Sequence, residues 1–297
     1  MFRFRFIFSA NIQIKNQLFL FFFIYFNKNV LMLNIIVFSK DRPSQLDLFL
    51  RSMKFYFKEF NQHTINILYT YSSNIFKEGY DKLFTLHKDN NINYIKETED
   101  FKKHVILLLN PNNPYTVFFV DDIIFKNEFT LECKQFKLFT LNDDILTLSL
   151  RLHPNLTYCY AARHHMIPPN FDSNLIFKWY GQQGDYGYPM SLDGHFFRTN
   201  DIIPIIKVLK FNNPNSFESV LSMHPLNRPK MICFEDSVII NNPINKVQNF
   251  NNNVHGDISA DYLNDKFLDG YIIDFDDFKG VKNISCHKEI PISLIKR

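Results

Sequence analysis

A long apolar run at residues 115–125, YTVFFVDDIIF, surrounds two adjacent carboxylates with β-branched and aromatic residues. Turn-forming Asn and Pro residues at 110–114 precede the run. This pattern predicts one central strand, buried on both faces. Asp121 and Asp122 would then lie near its carboxyl end, the edge of an open α/β sheet where ligands bind. Two carboxylates there favour a divalent cation with oxygen ligands; the alternative is that one caps a turn and the other is solvated.

The first half of the chain predicts a β-α-β unit. Residues 33–38, LNIIVF, form an apolar strand pattern, Pro43 suits a first helical turn, and residues 64–71 predict a second strand. The helix between them has one apolar face, formed by Leu46, Phe49, Leu50, Met53 and Phe57. Because the loop after residues 33–38 has no Gly-rich fingerprint, the sequence disfavours a dinucleotide-binding Rossmann domain and a P-loop NTPase.

Further elements alternate less regularly. Helices are predicted at residues 99–109, 142–150, 201–209 and 214–223, and a last helix, capped by Ser259, ends at Gly270. Strands are predicted at residues 156–161, 188–198, 231–240 and 284–294, and residues 163–188 are irregular. These expectations give an α/β fold with a Rossmann-like, mostly parallel central sheet and a mixed C-terminal half.

Residues 1–31 differ from the rest. Basic residues precede a nine-residue apolar run at 18–26, which is shorter than the roughly 20 residues that a spanning helix needs. No small-residue cleavage site follows it. The segment is a weak membrane-surface anchor, a degenerate signal-anchor, or a non-native extension before a start at Met32, and we favour the last. A single domain is expected at 32–297, with a nucleotide-binding half at 32–125 and an acceptor half at 126–297.

Composition narrows the class of protein. The 33 Lys and Arg residues nearly balance the 30 Asp and Glu residues, so the net charge of +3 gives no signal for nucleic acid. The four cysteines form no CxxC pair, which argues against structural zinc and for a reducing compartment. We therefore expect a cytoplasmic protein, with membrane-surface association if residues 1–31 act as an anchor.

Three blocks carry a resemblance to a known family: IIVFSKDRPSQL at 35–46, FFVDDIIF at 118–125, and YPMSLDGHFFR at 188–198, followed by NNPNSFES at 212–219. In this order they resemble nucleotide-sugar glycosyltransferases of the GT-A fold, especially those of the family-two type. The resemblance implies a hexosyltransferase-like enzyme of glycan biosynthesis. Its donor would be a nucleotide-diphosphate sugar, and its acceptor a glycan, a lipid-linked group or a protein.

The same resemblance implies a nucleotide site and a metal site. The residues that would surround the nucleotide are Ser39, Lys40, Asp41, Arg42 and Asp121, with Asp121 facing the ribose. Asp122 would bind Mn²⁺ or Mg²⁺, and a late histidine, His287, would complete the metal site. Ile123 stands where many relatives have a third acidic residue, which is a departure from the family pattern.

Two acidic residues are candidates for acceptor chemistry. Glu218, on a short predicted helix after Pro214, stands where the family places the base that deprotonates the acceptor hydroxyl. Asp193 competes for that role or contacts a sugar, since Gly194 beside it permits close backbone approach. For His195 a structural role is expected.

Two other classes of function remain open at this level. A metal-dependent nuclease would combine Asp121 or Asp122 with Glu132 and Lys134, where two carboxylates hold Mg²⁺ and the lysine assists the attacking water. A nuclease should also carry a basic face that follows phosphates, and the charge balance gives no sign of one. The third possibility is a catalytically silent binding module with a GT-A-like fold.

Overall fold

A computed structural model of the protein describes residues 31–247 and 255–297. The predicted N-terminal extension therefore lies outside the described residues. The helices are α1 (Pro43–Tyr56), α2 (Asn74–Leu86), α3 (Phe101–Leu108), α4 (Lys134–Leu141), α5 (Thr199–Val208), α6 (Pro214–Ser222) and α7 (Ala260–Leu268). The strands are β1 (Leu33–Lys40), β2 (Ile65–Thr70), β3 (Ile92–Lys96), β4 (Tyr115–Val120), β5 (Ile123–Phe125), β6 (Ile145–Ser149), β7 (Tyr158–Cys159), β8 (His164–His165), β9 (Ile176–Lys178), β10 (His195–Arg198), β11 (Lys230–Ile232), β12 (Ile239–Asn241), β13 (Tyr271–Ile273) and β14 (Leu294–Lys296).

An eight-stranded sheet organises the fold, with strand order β3-β2-β1-β4-β10-β6-β11-β9. Its first four strands are parallel, whereas β10 runs antiparallel to both β4 and β6. Three short pairs, β5 with β12, β7 with β8 and β13 with β14, lie outside this sheet. The predicted α/β fold is confirmed, including the parallel first half and the mixed second half that the GT-A resemblance implies.

Both faces of the sheet are covered, which explains why β1 and β4 read as continuous apolar runs rather than alternating ones. Ile36, Phe38 and Phe118 pack in one core with residues of α3, α5 and α6. Ile35 and Val117, on the opposite face, lie with Met53 of α1. The buried aromatic and aliphatic side chains on both faces hold in place the strands that end at the carboxyl edge.

The chain segments that carry the candidate site residues meet at one edge of the sheet. The chain passes from β1 outward to β2 and β3 and returns to β4 on the other side of β1, so β1 and β4 flank a topological switch point. Ligands bind outside the carboxyl ends of strands at such points. Because β6 runs parallel to β4 and β10 runs antiparallel, the end of β6 and the start of β10 meet at this same edge.

Several predicted elements need correction. The run 115–125 is two strands: β4 stops at Val120, Asp121 and Asp122 form a turn, and β5 pairs with β12 instead of joining the main sheet. Residues 142–150 are not a helix, because Ile145–Ser149 form the buried strand β6. Their apolar run fits either element, and pairing with β10 and β11 decides for the strand.

The predicted strands of the second half are shorter than expected. Within 188–198 only β10 is a strand, residues 231–240 contribute to two strands in different sheets, and residues 284–294 reach a strand only at Leu294. Turns and bends interrupt the apolar patterns at residues 188–198, 231–240 and 284–294. Helix α2 and strand β3 are additional elements that the sequence pattern did not predict. Across the described ranges, no helix is both long and apolar enough to cross a bilayer.

Candidate active site

The Asp121 carboxylate, at the switch point, accepts hydrogen bonds from three residues. Its Oδ2 accepts hydrogen bonds from the Ser39 hydroxyl at 2.9 Å and from the Lys40 backbone N–H at 3.1 Å. Its Oδ1 accepts from Arg42 at 3.0 Å. Burial raises the pKa of the Asp121 carboxyl, and the Arg42 guanidinium opposes that shift. Residues at the ends of β1 and β4 are thus joined in one network.

Arg42 links this network to a distant loop. Its Nη1 lies 3.5 Å from the Asp122 carboxylate, its Nε donates to Asn245 Oδ1 at 2.8 Å, and its Nη2 donates to the Asn245 carbonyl. Arg42 stands at the N-cap position of α1 but makes no side-chain capping bond, because a guanidinium has no acceptor for the helix N–H groups. The arginine therefore connects the switch point to a segment about 200 residues away in sequence.

Asp122 faces the other side of the edge. Asn241, at the end of β12, donates its amide N–H to Asp122 Oδ1 at 3.0 Å. The amide oxygen of Asn241 is buried and has no hydrogen-bond partner among the described residues. The backbone N–H of Asn242 also holds the Asp122 carbonyl, at 2.9 Å. The pairing of β5 with β12 thus aims an acidic and an amide side chain at the same place.

Asp193 is held by a buried arginine. Arg151, which follows β6, donates Nη1 to Asp193 Oδ2 at 2.9 Å and lies 3.3 Å from Asp185 through Nη2. Burial, with the neighbouring charges of Asp122 and Asp185, raises the pKa of Asp193 to about 6, against the opposing effect of Arg151. The two strands β6 and β10 bring Arg151 and Asp193 together because they are antiparallel neighbours.

Glu218 lies on the same side, on α6. Its Oε1 accepts from the Ser191 hydroxyl at 2.8 Å and from the Leu192 backbone N–H at 2.9 Å. Burial and the charge of Asp193 raise the pKa of the Glu218 carboxyl, and Arg151 opposes them. A carboxylate held through one oxygen, with a raised pKa, is a stronger base than a solvated carboxylate.

His287 also reaches this group of residues. Its Nε2 lies 3.8 Å from Asp193 Oδ2, and its ring stacks on Tyr160. Its Nδ1 is buried and makes no hydrogen bond within residues 31–247 and 255–297. Burial lowers the pKa of His287, which favours the neutral imidazole that metals bind. By contrast, His195 is a core residue that bonds to Ser149 and to the Pro189 carbonyl, as expected.

The donor set fits a divalent cation bound jointly with a substrate. No group of three or more His, Cys, Asp or Glu residues in 31–247 and 255–297 is arranged to hold a metal ion by itself. Mg²⁺, however, is usually bound through one or two carboxylates plus substrate phosphates. Asp122 and the unpartnered Asn241 oxygen supply oxygen ligands of that kind. Carboxylates also outnumber guanidinium groups around this edge, and this excess of negative charge favours the binding of a cation.

The remaining predicted nucleotide residues lie around the end of β1. Asp41 is buried with a left-handed backbone, φ 54°, and accepts from the Ser72 backbone N–H at 2.7 Å. Strained backbone of this kind is often found at functional sites. The Lys40 side chain is exposed beside it. Asp41 lines a pocket of about 430 Å³ with residues 245–247 and 255–261.

The residues of the nuclease hypothesis are not brought together. Glu132 is 79% exposed and pairs with Lys137, and Lys134 begins α4 at the surface. Two α4 side chains pack against Tyr115, at the start of β4, whereas Asp121 and Asp122 follow its end. A whole strand length therefore separates the two sets of charges.

Some site residues were missed from the sequence: Arg151, Asp185, Ser191, Asn241 and Asn245. The sequence does contain a signal for Arg151, because this charged residue interrupts a mostly apolar run at 145–152. It follows directly after β6, which the sequence pattern predicted as a helix. The asparagines had none, because they lie in a polar Asn-rich region whose members look alike in sequence.

Comparison with known proteins identifies one informative relative. The chain is 32% identical over 263 residues to the bifunctional glycosyltransferase pgtA of Dictyostelium discoideum. The match takes in 74% of this chain and 33% of that protein, so the chain spans about a third of its relative. No protein-family model matches the sequence. The expected similarity to glycosyltransferases is therefore confirmed.

Solved structures give more distant likenesses. TarS of S. aureus matches with a TM-score of 0.45 and 11% identity, over 71% of this chain and 36% of TarS. The mannosyltransferase PcManGT of Pyrobaculum calidifontis, in complex with GDP-Man and Mn²⁺, matches with a TM-score of 0.39 and 9% identity, over 70% of this chain and 56% of that one. Likenesses this distant carry no conclusion about the present site.

Proposed function

We propose that this chain, a relative of part of a bifunctional glycosyltransferase, transfers a sugar from a nucleotide-diphosphate donor to an acceptor hydroxyl. The observation that carries the proposal is the convergence of Asp121, Asp122, Asp193 and Glu218 at the carboxyl edge of β1, β4 and β6. Such an edge, at a topological switch point, suits a nucleotide on one side and reacting groups on the other.

The residues divide into a donor side and an acceptor side. Asp41, the Lys40 side chain and the Ser39–Arg42–Asp121 network border the nucleotide, and Asp121 is the group suited to the ribose. Glu218 takes the proton of the acceptor hydroxyl through its unbonded Oε2 as the new glycosidic bond forms. Asp193, fixed by Arg151, orients the donor or acceptor sugar and is the alternative base.

A divalent cation belongs to the proposal through Asp122. Asp122, with Asn241 or His287 beside it, would hold Mn²⁺ or Mg²⁺ together with the donor diphosphate. The cation supplies charge neutralisation of the departing nucleoside diphosphate when the sugar bond breaks. Arg42, at 3.5 Å from Asp122, adds a second positive charge on the same side.

The acidic residues suit an acceptor that reacts through a hydroxyl group. The proposed acceptor is a glycan, a lipid-linked group or a protein. Burial and the nearby charge of Glu218 raise the pKa of Tyr188, and its ring offers an aromatic surface for a sugar. Tyr186, by contrast, is a core residue that donates to the His153 carbonyl. Membrane-surface association and a cytoplasmic location remain part of the same proposal.

Calorimetric titration of UDP and GDP, each with Mn²⁺, tests the proposal. Wild-type protein should bind at least one of the two, and Asp122→Asn should lose the metal-dependent part of that binding while keeping its fold. Glu132→Gln serves as the matched control, because Glu132 lies at the surface away from this edge. If Glu132→Gln and Asp122→Asn both abolish nucleic-acid cleavage instead, the nuclease hypothesis is correct. Absence of binding to every nucleoside diphosphate favours the silent module.

A further inference from the structure

The bend at residues 191–194, SLDG, lies between the two candidate acids. Its Ser191 hydroxyl and Leu192 backbone N–H both donate to Glu218 Oε1, at 2.8 and 2.9 Å. On its other side, Asp193 pairs with Arg151 at 2.9 Å. This short bend therefore carries Asp193 and contacts Glu218.

The bend is itself fixed to the core. The Gly194 backbone N–H donates to the Phe118 carbonyl of β4 at 2.8 Å, and Gly194 adopts the left-handed region with φ 69°. A Cβ atom at Gly194 would lie 2.2 Å from the Ile239 side chain of β12. The position thus requires glycine both for its backbone angle and for its close packing.

Ser191 joins the two sides of the bend. Its hydroxyl is fully buried, donates to Glu218 and accepts the Asp193 backbone N–H at 3.2 Å. We infer that Ser191 is a positioning residue, which holds one oxygen of Glu218 against the bend so that the other faces the acceptor hydroxyl. This inference rests on the proposed role of Glu218 as the base.

The arrangement has a direct chemical consequence. Hydrogen bonds from Ser191 and Leu192 favour the ionised form of Glu218, which offsets part of its burial. The other charged or titratable groups near the Glu218 carboxyl include Asp193, Arg151, Tyr188 and His287. Loss of the hydroxyl should therefore raise the pKa of Glu218 and let its side chain rotate.

Ser191→Ala tests the inference without a large change in volume. The carboxyl carbon of Glu218 is followed by ¹³C NMR titration, with Glu218→Gln used to assign the signal, and its pKa should rise in Ser191→Ala. Ser219→Ala is the control, since Ser219 is an exposed neighbour of Glu218 on α6 and should leave the titration unchanged. An identical titration in Ser191→Ala and wild type would overturn the inference, whether or not the protein proves to be a transferase.

A kinetic arm separates positioning from a structural role. With the nucleotide sugar that the protein turns over, Ser191→Ala should lower kcat on the order of 10-fold with an unchanged KM for the donor. In a Glu218→Gln background the same substitution should have no further effect, because it acts through Glu218. An equal loss in both backgrounds would contradict positioning. If wild type turns over no nucleotide sugar, the proposed function fails, and the NMR titration still decides the role of Ser191.

Discussion

At the residue scale, the two acids differ in how they are held. Asp193 is paired with a guanidinium, whereas Glu218 accepts two hydrogen bonds on one oxygen and keeps the other free. Burial raises the pKa of both carboxyls, but the ion pair with Arg151 opposes protonation of Asp193 more strongly than the two neutral donors oppose protonation of Glu218. This difference favours Glu218 as the base and Asp193 as an orienting group.

Glu218→Gln should therefore lower kcat by on the order of 10²–10⁴ while the Kd of the donor stays near the wild-type value, because shape is kept and the base is lost. Steady-state kinetics and calorimetry measure the two quantities. Asp193→Asn is the paired variant and should raise KM more than it lowers kcat. The reverse pattern would assign the base to Asp193.

A second prediction at the residue scale concerns Arg151. It is buried between Asp185 and Asp193, so Arg151→Gln leaves both carboxylates without their cation. Removal of one partner from a buried ion pair should lower the free energy of unfolding by about 3 kcal/mol. Urea denaturation checks this value. Arg163→Gln, at an exposed arginine, should change stability by no more than about 0.5 kcal/mol.

At the element scale, a buried ionic cluster ties the two ends of the described chain together. Asp47 of α1 bonds to Arg51 at 2.7 Å, to His87 after α2 at 2.9 Å and to Arg297 after β14 at 3.0 Å. Burial alone would raise the pKa of Asp47, but the hydrogen bond from His87 and the two arginines hold it below its usual value. The cluster therefore joins helices of the first half to the last hairpin.

The sign of its pH dependence follows from that lowered pKa. The stabilisation is fully present above about pH 4, the pKa of an unfolded aspartate, and is lost as the pH falls through the lower folded value. Asp47→Asn should cost about 3 kcal/mol at pH 7, and its difference from wild type should shrink as the pH falls below 4. Urea unfolding across pH 7 to 3 measures it. A constant difference would show that the charge of Asp47 is not responsible; Asp81→Asn, at an exposed pair on α2, should show little effect at any pH.

At the scale of the whole molecule, the described residues from Leu33 onward form one compact unit, and its sheet begins with the pairing of Leu33 and Tyr115. The division into a nucleotide half and an acceptor half remains a prediction. Contacts such as Arg42 with Asn245 cross the predicted boundary. The two halves therefore share the site at their common sheet edge.

Deletion of residues 1–31 should leave a folded protein, because the described core contacts start at Leu33. Cooperative thermal unfolding with an unchanged circular dichroism spectrum is the expected result. Deletion of residues 1–37 is the control and should abolish folding, since it removes most of β1, whose residues pair with both β2 and β4. Loss of cooperative unfolding in the shorter deletion would contradict the prediction.

The sequence by itself determined the local elements whose pattern admits one answer. The buried strands β1 and β4, the amphipathic α1 and the Ser259-capped α7 all follow from residues close together in the chain. The same local patterns predicted that Ser39–Arg42 and the Asp121–Asp122 pair lie at strand ends, because each stands at or directly after the end of such a strand.

Only the tertiary structure decided which distant residues complete the site. Within residues 142–150, Ile145–Ser149 form a strand through pairing with β10 and β11, and that pairing sets Arg151 against Asp193. Asn241 was selected from many similar asparagines by the register of β12 against β5. The physical reason is that hydrogen bonds between strands and buried ion pairs depend on partners far away in the chain, and no local pattern specifies which partner will be there.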